Sequence, residues 1–123
     1  MQAKTYVEIV ATTAGGSAFV EHEVGVVERP VASGTPPMHV GTLAASTSAV
    51  FVRSTSFDSE AHPAPRKQWA VMLRGAIEVT VTDGSRRRFG PGDLVLASDT
   101  SGSGHITRAV EGDVLEALFL PVE

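Results

Sequence analysis

His62 lies within F-D-S-E-A-H-P-A-P-R-K-Q-W-A-V-M-L-R-G, Phe57 to Gly75, and His105 within P-G-D-L-V-L-A-S-D-T-S-G-S-G-H-I-T-R, Pro91 to Arg108. Each stands at the edge of an expected strand, with the hairpin signal Asp83-Gly84 between them. The two segments read as two sides of one pocket inside a small β-barrel. Imidazole changes charge near neutral pH, so two of them in a partly desolvated lumen form an acid and base pair, one accepting a proton while the other donates. Alternation along a strand turns Ala70 and Met72 the same way as Gln68, and Trp69, Val71 and Leu73 the other way. By the same rule Thr107 accompanies His105, while Ile106 and Arg108 face outward. Gln68 can orient a carbonyl or hydroxyl, Ala70 leaves room, and Met72 adapts its shape to a ligand.

Trp69 is either packing in the core or at a subunit interface, or a stacking platform for substrate. Arg66, with Lys67, is either a solvated strand start or an anion clamp at the barrel mouth. Asp99, Thr100 and Ser103 read as turn formers, and no G-x-S-x-G context supports a Ser-His nucleophile pair. His22 falls on an apolar face of its strand and reads as a satisfied core histidine.

Short strands must carry these residues. Lys4 to Val10 alternates, with Val7 and Ile9 on one face, and Thr12 to Gly16 closes it. Ser17 to Val27 alternates again, with Val20, His22, Val24 and Val26 opposite Phe19. Glu28 to Thr42, with three prolines and two glycines, reads as a long connection and a candidate lid, with His39 a loop residue. Thr47 to Ser56, Gln68 to Leu73, Ile77 to Val81, Arg86 to Phe89, Leu94 to Ala97 and Val114 to Val122 read as further strands. No segment keeps a helical period beyond about two turns. The expectation is one all-β domain over residues 1–123, a sandwich or barrel.

Composition narrows the function. The 123 residues carry a net charge of −4, which argues against nucleic acid as a partner. Six of the ten basic residues fall between Arg66 and Arg88, a solvated strand face or a phosphate-binding patch. There is no cysteine, so thiolate chemistry and disulfides are absent. No apolar run is long enough to cross a membrane and no secretory signal is visible, so a cytoplasmic location is expected.

These segments resemble the cupin superfamily of small jelly-roll barrels, whose first motif is roughly G-x5-H-x-H-x3-4-E-x6-G and whose second is G-x5-P-x-G-x2-H-x3-N. Gly75 matches the closing glycine of the first motif, His62 its first histidine, and Gln68 takes the place of its glutamate. Ala64 stands where the second histidine belongs. In the second motif His105 matches the histidine, after Gly102, Gly104 and the Pro91-Gly92-Asp93 turn, and Ala109 replaces the asparagine. The resemblance implies a cupin-type jelly-roll barrel and a metal held by three histidines and a glutamate. Two of those four are replaced here, and an amide is a poorer ligand than an anion for Zn, Ni, Fe or Mn. The expectation is therefore an enzyme that needs no metal, with His62 and His105 catalysing isomerisation, cyclisation or dehydration of a small organic substrate. The alternatives are a metal-dependent oxygenase using His62, Gln68 and His105, with Glu60, Asp58, His22 or His39 as possible further donors, and a non-catalytic binding protein. The resemblance also implies a homodimer, with the N-terminal strand in residues 1–16 at the contact.

Overall fold

Alternating apolar residues produce the strands that the sequence predicts, and the fold is all-β. A computed structural model describes residues 2–46, 48–55 and 58–123, and of residues 111–113 the backbone alone. Thr47, Ser56 and Phe57, expected at the ends of a strand and at the start of the first histidine segment, lie outside the described residues. β1 (Thr5–Ala11) pairs with β2 (Ser17–Glu23) on one side and runs parallel to β8 (Leu94–Ala97) on the other. β8 pairs with β6 (Gln68–Thr80), β6 with β9 (Ile106–Pro121), and β9 with β5 (Val50–Ser54) at the far edge. β7 (Arg86–Phe89) joins the second half of β6. Side chains from β1, β5, β6, β8 and β9 line one cavity, so this sheet curls around an interior.

Val7, Ile9, Met72, Val79, Phe89 and Val95 form the buried core. Gln68 to Leu73 and Ile77 to Val81, read as two strands, join in one 13-residue strand, β6, which ends at Thr80. Its register against β9 shifts between Met72 and Ile77, and such irregularities bend a strand and sharpen its twist. The Asp-Gly turn follows a different geometry from the two-residue form. Within the turn only Gly84 has positive φ, Gly84 N–H donates to Val81 O at 3.0 Å, and Val81 N–H donates to Ser85 O at 3.0 Å. The loop is therefore the three-residue Thr82–Gly84, a type I turn closed by a left-handed glycine.

Two other expectations are corrected. The segment read as a long connection holds a separate hairpin, β3 (Val27–Pro30) and β4 (Pro37–Val40), whose prolines pair with each other at its end. Prolines bar a central strand but not a two-stranded ribbon open to solvent. β2 presents the opposite face from the one its valines suggested. Phe19 packs against the core, edge-on to Phe89 at 6.4 Å, whereas Val20 is 39% exposed. One aromatic ring removes more apolar surface from water than a valine does, and it sets the register.

His22 consequently leaves the core face. It stacks on Tyr6 at 4.9 Å and its Nε2 lies 2.8 Å from Glu8 Oε1. The Glu8 carboxyl is held below its ordinary value. Burial works to raise it, but the Ser98 hydroxyl (close by, though outside strict hydrogen-bond geometry), His22 and Lys67 more than offset that. A carboxyl depressed in the folded state stabilises the fold above its unfolded value of 4.5 and loses that contribution as pH falls through the folded value. Wild type is expected to lose more stability than Glu8→Gln between about pH 6 and about pH 3, by up to about 1 kcal/mol for a partly exposed pair. Urea melts at the two pH values check this, and equal acid losses would assign the effect to other carboxyls.

Candidate functional site

Backbone pairing brings the two histidine segments together. His62 N–H donates to His105 O and His105 N–H to His62 O, each at 3.1 Å, an isolated antiparallel bridge. Ser59 N–H donates to Thr107 O at 2.9 Å, Thr107 N–H to Ser59 Oγ at 3.1 Å, and Ala64 N–H to Asp99 O at 2.9 Å. Residues 58–64 are thus a strap laid along the start of β9 and the turn before it. The strap and the strands enclose a cavity of about 390 Å3, within the usual range for small-molecule sites. Its walls are mainly apolar, including Ile9, Met72, Val79, Val95, Leu115 and Phe119.

The imidazole centroids lie 5.5 Å apart with their planes at 47°. His105 is buried, and its Nδ1 is 2.5 Å from Oδ2 of Asp99, which has no exposed surface. A carboxylate oxygen only accepts, so Nδ1 carries the proton and Nε2 is the nitrogen left for the cavity. Asp99 Oδ1 is buried with no partner among the described residues, so this carboxylate has His105 as its one side-chain partner there. His62 is fixed in the same sense, because its Nδ1–H donates to Pro63 O at 2.9 Å. His62, however, is exposed. The water-poor setting expected for both rings holds for His105, whereas His62 stands at the rim.

Gln68, Ala70, Met72 and Thr107 all line the cavity, as alternation along β6 and β9 requires. Trp69 and Arg66 do not. Trp69 is buried on the other side of β6, its ring edge-on to Tyr6 at 4.7 Å, which is the packing role. Arg66 is exposed and outside the cavity wall, which is the solvated strand start. The sequence reading missed Asp99, taken there as a turn former, and also Ser59, Ser54 and Arg53. Arg53 Nη2 lies 2.7 Å from Glu116 Oε2 at the far edge.

The four-ligand metal site that the resemblance implies does not fit these residues. Ala64 occupies the wall beside His62 and offers no donor, and Gln68 supplies a neutral amide. Asp99 is engaged with His105, His22 with Glu8 on the outer face, and Asp58 accepts from Ala109 N–H at 3.1 Å. Among the described residues no three His, Cys, Asp or Glu side chains converge. Two imidazoles and an amide are a weak set for a divalent cation.

No family model and no curated protein matches the chain. Among solved structures it is similar to the cupin domain of Schizosaccharomyces pombe Cnp3, with 12% identity and a TM-score of 0.48 over 100% of this chain and 86% of that one. Among the described residues no helix is long and apolar enough to cross a membrane.

Proposed function

We propose that the chain is a small-molecule enzyme that moves a proton on an organic substrate bound in the cavity, without a required metal. One observation carries the reading: the imidazole of a buried Asp99–His105 pair, held through Nδ1, lines an apolar pocket. The carboxylate orients the ring and complements the imidazolium formed on proton uptake. A substrate C–H bond breaks as N–H forms at Nε2 of His105, and the electron pair moves into a neighbouring unsaturated group. Return of that proton to another atom of the same molecule completes an isomerisation, with no oxidant or co-reactant consumed. With proton return to a leaving hydroxyl, or with ring closure, the same step serves dehydration or cyclisation. His62 faces the substrate from the rim as the second proton carrier. Two copies pairing through a sheet edge, in the cytoplasm, complete the proposal. β2 and β5 are the outer strands of the sheet path, whereas β1 is paired on both sides.

The exposure of His62 favours a second reading, binding without turnover. Exchange of solvent deuterium into ketones and enones, followed by proton NMR, separates the two. Faster exchange with wild type than with His62→Ala or His105→Gln supports proton transfer, and equal rates in all three leave only binding. Stoichiometric metal in protein purified without chelator, lost on His62→Ala, would overturn metal independence.

A further inference from the structure

Gln68 is 9% exposed and is the one side-chain amide in the cavity lining, and its amide atoms are not among the fully buried ones that lack a partner. An amide that opens onto an otherwise hydrocarbon cavity has its N–H and C=O available to a ligand. Its side chain lines the same cavity as His62, His105 and Thr107, while the remaining walls are largely hydrocarbon. Lysine is absent from the lining, and the arginine that belongs to it, Arg53, is engaged with Glu116 and 62% exposed. Asp99 already places one negative charge behind His105. A carboxylate entering the cavity meets no free lysine or arginine in the lining among the described residues and loses its water, which is strongly unfavourable. A neutral oxygen meets an amide N–H.

We infer that the cavity takes uncharged, mostly hydrocarbon carbonyl compounds, with the carbonyl oxygen accepting from the Gln68 amide N–H and the carbon beside it turned toward His105 Nε2. This rests on the proton-transfer reading for its chemistry, but the ligand class is tested by binding alone.

The probes are cyclohex-2-enone, 1-tetralone and anthrone, each with its parent hydrocarbon and a carboxylate of matched size. Calorimetric titration of wild type is expected to rank carbonyl above hydrocarbon and both above carboxylate. The side-chain amide signal of Gln68 should shift with the carbonyl probe and not with the hydrocarbon. Gln68→Leu should weaken the carbonyl probe about three- to tenfold, the worth of one neutral hydrogen bond, and leave the hydrocarbon unchanged. Gln68→Met serves if the leucine variant does not fold. Tighter binding of the carboxylates, an unmoved carbonyl preference in both variants, or no binding by any probe overturns the inference. Equal deuterium exchange by wild type and His105→Gln, with the carbonyl preference intact, removes the catalytic reading and leaves the ligand class standing.

Discussion

His105→Ala is expected to cost the fold about 3–5 kcal/mol, and a second substitution, Asp99→Ala, to give most of that back. The reason is asymmetry. Asp99 has no exposed surface, and its other oxygen is buried without a partner among the described residues, so removing the imidazole strands a carboxylate in the interior. Removing both groups strands nothing and leaves a small cavity. Urea melts of the four proteins of this cycle measure the coupling, and additive losses would show that the pair contributes nothing beyond its separate parts. For activity the informative variants keep the shape of the site. His105→Gln retains a donor toward Asp99 and removes the proton acceptor, and should slow deuterium exchange by roughly 100- to 10,000-fold. Asp99→Asn keeps the volume and lets an amide N–H face His105 Nδ1, which moves the proton to Nε2 and blocks uptake there. Its rate should fall with a change in the imidazole 15N shifts. Unchanged shifts with an unchanged rate would leave Asp99 a structural residue.

Alternation made the cavity wall legible. Gln68, Ala70 and Met72 were placed together by period alone, and so was Thr107 with His105, because a pleated strand allows two faces only. The pairing of His62 with His105 was legible from the two motif halves. Asp99 was not. Its neighbours, Ser98 and Thr100, are turn residues, and Asp is the usual company in such a run. What makes it different is tertiary: Ala64 and His105 close over it from separate segments. Trp69 and Arg66 were open between two roles because large or charged residues beside a site serve either. Strand direction decides for Trp69, whose neighbours Gln68 and Ala70 take the cavity side. The β3–β4 hairpin escaped detection because the prolines flanking its loop read as a break, yet as a facing pair they merely terminate the ribbon.

The strap depends on one residue without a side chain, and Gly104→Ala is expected to be the most disruptive single-methyl change near the site. A Cβ at Gly104 would overlap His62 O and C and Pro63 N. These are backbone atoms, so no rotamer change relieves the contact. The residue also has φ of +73°, which adds about 1–2 kcal/mol for any side chain. Forced overpacking adds about 1–3 kcal/mol more. The combined loss corresponds to a fall in Tm of about 10 °C for a chain of this size. Gly84→Ala is the control. Gly84 has φ of +87° but open space around its Cβ, so it reports the conformational part alone. The difference between the two variants isolates the contact between strap and turn. That contact is also what holds His62 beside His105, so Gly104→Ala should lose binding of a carbonyl probe while Gly84→Ala keeps it. Equal Tm losses in the two variants, with binding retained by both, would mean that the strap is not anchored at Gly104.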